Sequence, residues 1–346
     1  MRTVIRQKFG KASIIDVPKP SPASEEALVK ITTAGVCHSD LHIVMGDWVE
    51  DKTETPLPFP LGHEGIGIVE ELGPDCEFDI KVGDRVIMGL GGTGGYWCGT
   101  CEYCLNGQFN YCPERKPLFG ILSEYASVWA PSLVKIPDEL SDNEVPLACG
   151  GLTAYGAIKK LKSLNIPSGK NIAIIGAAGG LGHYAVQIAK AFGYKVIGID
   201  VGSEKLEFVR KLGADYAIDA TEVGKFVVEK LGGVQASIIF AANISAYNLG
   251  LELLKVGGVL IGVGLPAYSE GTITLTPSNL IMRNLQITGS LTGTVEDMRE
   301  LVKLAVDGKV KTHVGRTANL SEINEVFEEM RNGQFVGRAI INNLIE

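Results

Sequence analysis

The sequence lacks any excess of positive charge and any apolar run that could cross a bilayer. Even the apolar segment 259–265 is short and contains glycine, whereas a spanning helix needs about 20 apolar residues. With 40 acidic against 32 basic residues, the formal net charge is -8, so phosphate backbones and anionic membranes are not generally attracted. We therefore expect neither nucleic acid nor a membrane as a partner.

The N-terminal segment also lacks the apolar stretch of a secretion signal. Residues 1–10 alternate charged and apolar side chains, which predicts a first β-strand. Of the seven cysteines, four lie between Cys98 and Cys112, a spacing more typical of a metal site than of the disulfides of secreted domains. We expect a cytoplasmic protein, and we interpret Cys76 as a small buried or half-buried hydrophobic residue.

The length and the local patterns predict two domains in a mixed α/β protein. A chain of 346 residues with 45% hydrophobic residues exceeds what one core usually organises. Residues 1–150 combine glycine and proline with short β-branched runs, which predicts a mostly antiparallel β domain. From about residue 170, apolar strands alternate with helical patterns, as in a doubly wound parallel sheet of the Rossmann type.

Several elements of this second region are predicted individually. The helical patterns lie at 181–192, 204–212, 222–231 and 247–256. The strand candidates lie at 171–175, 195–199, 215–218, 236–241, 258–263 and 285–288. Two more helices at 296–306 and 322–330 and a strand at 336–341 complete the chain.

A four-cysteine segment predicts a closed metal site. Its members follow the spacing CxxCxxCx7C and are Cys98, Cys101, Cys104 and Cys112. Four thiolates saturate a tetrahedral zinc ion and leave no position for a substrate, which favours a structural role. The alternative is two disulfides or four unrelated thiols.

A glycine-rich turn predicts a dinucleotide site. The turn follows an apolar strand and opens a helix, and its members are Gly176, Gly179, Gly180, Leu181 and Gly182. Missing Cβ atoms let backbone amides approach a pyrophosphate at the helix N-terminus. The next strand ends in Asp200, which suits a ribose 2′-hydroxyl and would repel a 2′-phosphate, so NAD is favoured over NADP. The alternative is a tight turn with close helix packing.

Three residues far apart in the sequence predict a second, open metal site. Cys37, His63 and Cys149 offer two thiolates and one imidazole, a ligand set that holds catalytic zinc with its fourth position open. A hydrogen-bonded structural histidine and a buried apolar cysteine are the alternatives for His63 and Cys149.

These motifs together resemble the zinc-containing medium-chain alcohol dehydrogenase family. The motifs that carry the resemblance occur in family order and are GHE at 62–64, GDRV at 83–86, the cysteine segment, ACG at 148–150 and the glycine turn. The resemblance implies a GroES-like catalytic domain at 1–150 and 291–346 and an NAD-binding Rossmann domain at 151–290. The chain length is similar to that of tetrameric microbial and yeast-like members, which implies a homotetramer.

The resemblance also implies roles for single residues. Cys37, His63 and Cys149 look like catalytic zinc ligands, with Glu64 as a neighbouring or exchanging ligand. Ser39 and His42 resemble the proton relay. The alternatives are a turn hydroxyl for Ser39 and a surface histidine without a role in proton transfer for His42.

Further roles concern the cofactor and the substrate. His38 looks like a pyrophosphate contact, Lys205 like an adenosine-ribose contact and Arg338 like a second phosphate contact. Trp48 resembles a wall of the substrate pocket, and the alternative is a side chain of the hydrophobic core.

The predicted function is reversible hydride transfer between a primary or secondary alcohol and NAD, which gives an aldehyde or ketone. Two zinc ions per chain are expected, one catalytic and one structural. One alternative is a polyol or sugar dehydrogenase of the same superfamily, although that branch usually has an acidic residue in place of Cys149. The other is a nucleotide-binding protein without catalytic activity.

Overall fold

The protein divides into two compact units. The computed structural model describes residues 1–49, 52, 56–89, 95–342 and 344. The first unit, called the β unit, comprises Met1–Leu152, Thr292–Gly308 and Thr312–Glu346. The second, called the α/β unit, comprises Thr153–Leu291 and Lys309–Lys311.

The described residues of the β unit form two sheets. Its strands are β1 (Arg2–Lys8), β2 (Lys11–Asp16), β3 (Glu26–Val36), β4 (Phe59–Pro60), β5 (Glu64–Leu72), β6 (Arg85–Gly89), β7 (Tyr125–Trp129) and β8 (Val134–Lys135). The last two strands of the chain, β15 (Val314–Ala318) and β16 (Arg338–Asn342), belong to the same unit. A three-stranded sheet has the order β2-β1-β4, and a seven-stranded sheet has the order β15-β16-β3-β5-β6-β8, with β7 also paired to β3. All these pairs are antiparallel except β15 with β16.

The α/β unit is built around one parallel sheet. Its strands are β9 (Asn171–Ile175), β10 (Lys195–Asp200), β11 (Tyr216–Asp219), β12 (Val234–Ile239), β13 (Leu254–Gly262) and β14 (Gln286–Gly289). They run in the order β11-β10-β9-β12-β13-β14, and each neighbouring pair is parallel. The buried apolar residues of β9 and β12 explain why these central strands are continuous hydrophobic runs.

Helices connect the strands. The α-helices are α1 (His38–Met45), α2 (Glu102–Leu105), α3 (Gly150–Ser163), α4 (Gly182–Ala191), α5 (Ser203–Lys211), α6 (Ile244–Leu253), α7 (Pro277–Met282), α8 (Val295–Val306) and α9 (Ile323–Arg331). Short 3₁₀ segments occur at Phe109–Tyr111, Ala130–Ser132, Asp142–Ala148, Tyr268–Glu270 and Leu320–Glu322. None of the helices in the described part of the chain combines the length and hydrophobicity that a membrane crossing requires.

The predicted fold class is confirmed, with local differences. The predicted helix at 247–256 was misplaced, because the helix ends at Leu253 and Leu254 already pairs with Val234 in the sheet. Strand pairing outweighs the helical pattern here. The predicted helix at 222–231 is a short π-helix at Lys225–Lys230.

Candidate active site

Three chain segments of the β unit present the ligand set Cys37, His63 and Cys149. Cys37 follows β3 and caps the N-terminus of α1, and His63 directly precedes β5. Because β3 and β5 pair with Ala34 opposite Gly65, the two ligands emerge at the same end of the sheet. Cys149 lies between the 3₁₀ segment Asp142–Ala148 and α3.

Glycines allow the close packing behind this set. A Cβ on Gly35 would lie 2.0 Å from Glu64 Oε2, and a Cβ on Gly89 would lie 2.2 Å from the carbonyl oxygen of Ala148. Because real Cβ atoms do not approach so closely, larger residues would push the segment carrying Cys149 and the Glu64 side chain out of place.

The ligand atoms converge. The side-chain ligand atoms of Cys37, His63, Glu64 and Cys149 all lie within 4.8 Å of one another, and all four residues are buried. His63 Nε2 is buried and has no hydrogen-bond partner. A buried polar atom without a partner is unfavourable unless a ligand satisfies it. Two thiols and an imidazole with a free nitrogen fit a zinc ion.

Asp40 orients this imidazole, and sequence reasoning missed it. Its side chain is fully buried, and Oδ1 accepts hydrogen bonds from His63 Nδ1 at 3.1 Å and from the Gly62 amide at 3.0 Å. Oδ2 accepts the Cys37 amide at 3.1 Å. The carboxylate therefore holds the proton on Nδ1 and leaves Nε2 for a metal. The signal was present, since Asp40 stands three residues after Cys37 as a capping box at α1.

The charges of the buried cluster favour a cation. Hydrogen bonding to Cys149 lowers the pKa of the Cys37 thiol far below its usual value, against the effect of burial, and His63 adds to the lowering. The same bond, together with burial, raises the pKa of Cys149. Burial lowers the pKa of His63, but the charge and hydrogen bond of Asp40 outweigh it and raise the value well above normal. A dication would displace the protons held by Cys149 and His63.

Glu64 is paired with Arg338 in the described structure. Arg338 Nη2 lies 2.6 Å from each oxygen of Glu64 and also donates to the Val36 carbonyl at 3.2 Å. Burial raises the pKa of Glu64 to about 7, although the guanidinium opposes this shift. The structure thus places Arg338 in a buried ion pair, and its contact with a cofactor phosphate stays a prediction.

The predicted relay and pocket residues lie on or near α1. Ser39 Oγ is 3.6 Å from Cys37 Sγ, which places it next to the ligand set. His42 Nδ1 lies 2.7 Å from Asp47 Oδ2, and the His42 ring stacks on Trp48 with centroids 4.7 Å apart. His38 begins α1 and is exposed, with its ring 6.3 Å from that of His42.

Phe119 is a second aromatic neighbour that the sequence did not reveal. Its partly buried ring lies edge-on to the His63 ring at a centroid distance of 6.2 Å, and it packs on Phe59 at 5.0 Å. Phe119 lies far from Cys37, His63 and Cys149 in the sequence, so only the tertiary structure places it beside His63.

The four-cysteine segment forms a separate cluster. The sulfur atoms of Cys98, Cys101, Cys104 and Cys112 lie within 4.8 Å of one another, and all seven cysteines of the chain are free thiols. Backbone hydrogen bonds from Thr100 and Cys101 lower the pKa of Cys98 to about 6, whereas burial raises that of Cys104 to about 12. Four converging thiols without disulfides fit a tetrahedral zinc ion.

The glycine turn lies between β9 and α4 of the α/β unit. Gly176 has a φ of 82°, and a Cβ on Gly182 would lie 2.0 Å from the Gly176 carbonyl oxygen. Gly179 is exposed, and Gly180 and Leu181 are partly exposed. The resulting surface of backbone at a helix N-terminus fits a diphosphate.

Asp200 is tied to the glycine turn. Its Oδ2 accepts the Ala178 amide at 2.8 Å and its Oδ1 accepts the Val201 amide at 2.9 Å. Lys205 Nζ lies 3.7 Å from Oδ1. The predicted ribose residues are therefore neighbours beside the turn.

Asp40→Asn is expected to weaken metal binding by about 10- to 100-fold, because removing a partner of a ligating histidine has effects of this size. Competition with a chromogenic zinc chelator measures the zinc affinity of each variant. Asp47→Asn is the matched control, since Asp47 contacts His42 rather than a predicted zinc ligand. Equal zinc retention by wild type and Asp40→Asn would rule out the orienting role.

The described residues of the β unit form two clusters of metal ligands, and the α/β unit contains a parallel sheet of the type that binds dinucleotides. This combination is typical of a metal-containing dehydrogenase. Residues 23–138 match the family model described as alcohol dehydrogenase GroES-like domain, and residues 180–307 match that of zinc-binding dehydrogenase. An alcohol dehydrogenase of Geobacillus stearothermophilus is 38% identical over 353 residues, which cover 99% of each chain. The chain therefore belongs to the zinc-containing medium-chain alcohol dehydrogenase family, and the predicted membership is confirmed.

Solved structures agree with this assignment. The alcohol dehydrogenase of the hyperthermophilic archaeon Aeropyrum pernix is 33% identical, with a TM-score of 0.88 over 99% of this chain and 100% of that chain. A solved NAD-dependent alcohol dehydrogenase is 26% identical, with a TM-score of 0.87 over 99% of each chain.

Proposed function

We propose that the protein is an NAD-dependent zinc alcohol dehydrogenase that interconverts a primary or secondary alcohol with an aldehyde or ketone. The observation that carries this proposal is the buried convergence of Cys37, His63 and Cys149, with His63 Nε2 left without a partner. The names of the relatives support the same reaction.

Cys37, His63 and Cys149 would hold the catalytic metal, and Asp40 keeps His63 in the required tautomer. Bound zinc would lower the pKa of an alcohol that it binds and polarise a carbonyl in the reverse direction. The carboxylate of Glu64, which is paired with Arg338, lies next to these three ligands.

A proton leaves the alcohol through Ser39 and His42. Ser39 is the hydroxyl beside Cys37, and His42 lies one helical turn further along α1. Because the Asp47 carboxylate accepts a hydrogen bond from His42 Nδ1, the proton of the neutral ring stays on Nδ1. Nε2 is then the basic nitrogen that takes up the proton.

Bound NAD would supply the hydride acceptor. In the α/β unit, the glycine turn would bind its pyrophosphate, and Asp200 and Lys205 would contact its adenosine ribose. The Asp200 carboxylate, only 11% exposed and close to the turn, would repel a 2′-phosphate. This repulsion favours NAD over NADP.

Aromatic side chains line the substrate side of the β unit. Trp48 stacks on His42, and Phe119 lies beside His63. Flat apolar surfaces offer no partners for several hydroxyl groups, so they favour simple alcohols over polyols.

The four-cysteine cluster would hold a second, structural zinc, which would give two zinc ions per chain. Four of the seven cysteines converge as a metal-ligand set rather than pairing in disulfides, which supports a cytoplasmic location.

We also infer a homotetramer. Strand β14 lies at the edge of its sheet, and large apolar side chains are exposed at Val256 (67%), Ile281 (71%), Met282 (80%) and Ile287 (41%). Such surfaces favour self-association. A native mass of one chain in light scattering would contradict it.

One assay tests cofactor, metal and substrate class together. Zinc-replete protein is mixed with NAD or NADP and with primary alcohols, secondary alcohols or polyols, and the formation of reduced cofactor is followed by absorbance. We expect reduction of NAD with simple alcohols and its loss after treatment with a chelator. A preference for polyols by orders of magnitude would indicate the sugar-type alternative, and no reduction with any alcohol would indicate a protein without catalytic activity.

A further inference from the structure

The carbonyl oxygen of Gly179, within the glycine turn, accepts two hydrogen bonds from one residue. The backbone amide of His183 donates to it at 3.1 Å, and Nδ1 of the same imidazole lies 3.1 Å from it. Since a carbonyl oxygen only accepts, the ring proton must lie on Nδ1. The side chain of His183 therefore reinforces the backbone bond that ties Gly179 to the N-terminal end of α4.

This contact determines where the neighbouring amide points. In a trans peptide, the C=O and the N–H of the shared plane point in opposite directions. The Gly179 carbonyl is directed toward His183 in α4, so the N–H of Gly180 is directed away from that helix. This is the side on which an anion would meet the exposed backbone of the turn.

The peptide between Gly179 and Gly180 needs such a restraint. Both flanking residues are glycine, which adopts positive and negative φ values with similar ease. Without a second bond to its carbonyl, this peptide could rotate and turn the Gly180 N–H inward at little steric cost. The bond from the ring removes that alternative before any ligand binds, which reduces the entropy lost on binding.

Burial, ring contacts and a bond to its backbone hold His183 in place. His183 is fully buried, and its ring lies 3.8 Å from that of Tyr184 and 6.4 Å from that of Phe208. Gln187 Nε2 donates to the His183 carbonyl at 3.0 Å and also to the Lys311 carbonyl at 3.0 Å, while Gln187 Oε1 accepts the Lys311 amide at 2.9 Å. His183 thus acts on the turn from a fixed position.

We propose that His183 is a positioning residue for the cofactor diphosphate, which acts by holding the Gly179–Gly180 peptide with the Gly180 N–H outward. The inference rests on the NAD binding proposed above. His183 does not touch the ligand. We expect it to increase the affinity for ligands that contain a diphosphate, such as a dinucleotide or a nucleoside diphosphate. The affinity for adenosine alone should not depend on it.

Two variants separate the hydrogen bond from the shape of the ring. His183→Phe keeps a planar ring but has no donor, whereas His183→Asn places Nδ2 at the position of the imidazole Nδ1 and keeps the donor. The dissociation constant of NADH is measured by fluorescence, and those of ADP-ribose and adenosine are measured by calorimetry, on the zinc-replete protein.

We expect His183→Phe to raise the dissociation constants of NADH and ADP-ribose about threefold to tenfold, the effect of losing one net hydrogen bond. The constant for adenosine should not change, and His183→Asn should remain within about twofold of wild type. His183→Leu serves as a second variant without a donor should His183→Phe fail to fold, and it should behave like His183→Phe.

Wild-type affinity for ADP-ribose in a folded variant without the donor would overturn the proposal. Equal weakening of ADP-ribose and adenosine would also overturn it, because that result indicates a general loss of structure. A wild-type protein that binds neither NADH nor ADP-ribose would instead refute the proposed NAD dependence, so the two failures are distinguishable.

Discussion

Cys149→Ala is expected to lower kcat/KM for alcohol oxidation by at least about a thousandfold. The substitution leaves two of the three predicted zinc ligands. A catalytic metal stabilises the charge that develops on the substrate oxygen in the transition state by several kcal/mol. Each loss of about 1.4 kcal/mol lowers the rate tenfold. The variant should also release zinc from one site per chain. Metal analysis combined with steady-state kinetics measures both effects, and NADH binding to the α/β unit should be preserved.

Cys76→Ala is the matched control for this experiment. Cys76 is partly exposed, packs against the edge of the β-unit core, and belongs to neither thiol cluster. Its removal should leave zinc content and kcat/KM unchanged. Full turnover and full zinc content in Cys149→Ala would remove Cys149 from the catalytic site.

Cys104→Ser is expected to have the second largest effect, on stability. Cys104 is 6% exposed and is one of the four converging thiols. Structural zinc contributes its binding free energy to folding, about 10–16 kcal/mol in isolated zinc-finger peptides. Loss of even a third of this amount, about 3–5 kcal/mol, should lower Tm by roughly 5–10 °C. Calorimetry and metal analysis should show the lower Tm and one zinc fewer per chain.

Cys104→Ser and Cys149→Ala should differ in their effects on activity, which separates a structural metal site from a catalytic one. Cys104→Ser should retain NADH binding and, below its Tm, measurable alcohol oxidation, because the catalytic ligands are untouched. Cys76→Ser again serves as the control. An unchanged Tm and zinc content in Cys104→Ser would argue that the cluster holds no structural metal.

The ligand and cofactor motifs could be recognised from the sequence because they combine a residue type with a local context. The cysteine spacing at 98–112 brings four thiols within reach of one ion through a short loop. The glycine turn stands between an apolar strand and a helix and is followed by a strand that ends in Asp200. Such features depend only on residues that are neighbours in the chain, so they can be recognised without knowledge of the fold.

The residues that support these motifs were harder to predict. Asp40 has a local signal as a helix cap, but its bond to His63 joins positions 23 residues apart. Phe119 reaches His63 from a loop more than 50 positions away along the chain. The predicted helix at 247–256 was wrong at its end, because pairing between Leu254 and Val234 depends on the sheet.

By itself, the sequence determined the family, the two-part α/β fold class and the positions of the cysteine, histidine and glycine motifs, since each rests on short-range spacing and on chemistry that few residue types supply. Only the tertiary structure decided that Cys37, His63 and Cys149 meet, that Arg338 pairs with Glu64, and that His183 holds the peptide of the glycine turn. Those contacts depend on strand register, on glycines that permit close approach, and on the direction of individual peptide planes. These properties are set by the packing of the whole unit rather than by any one segment.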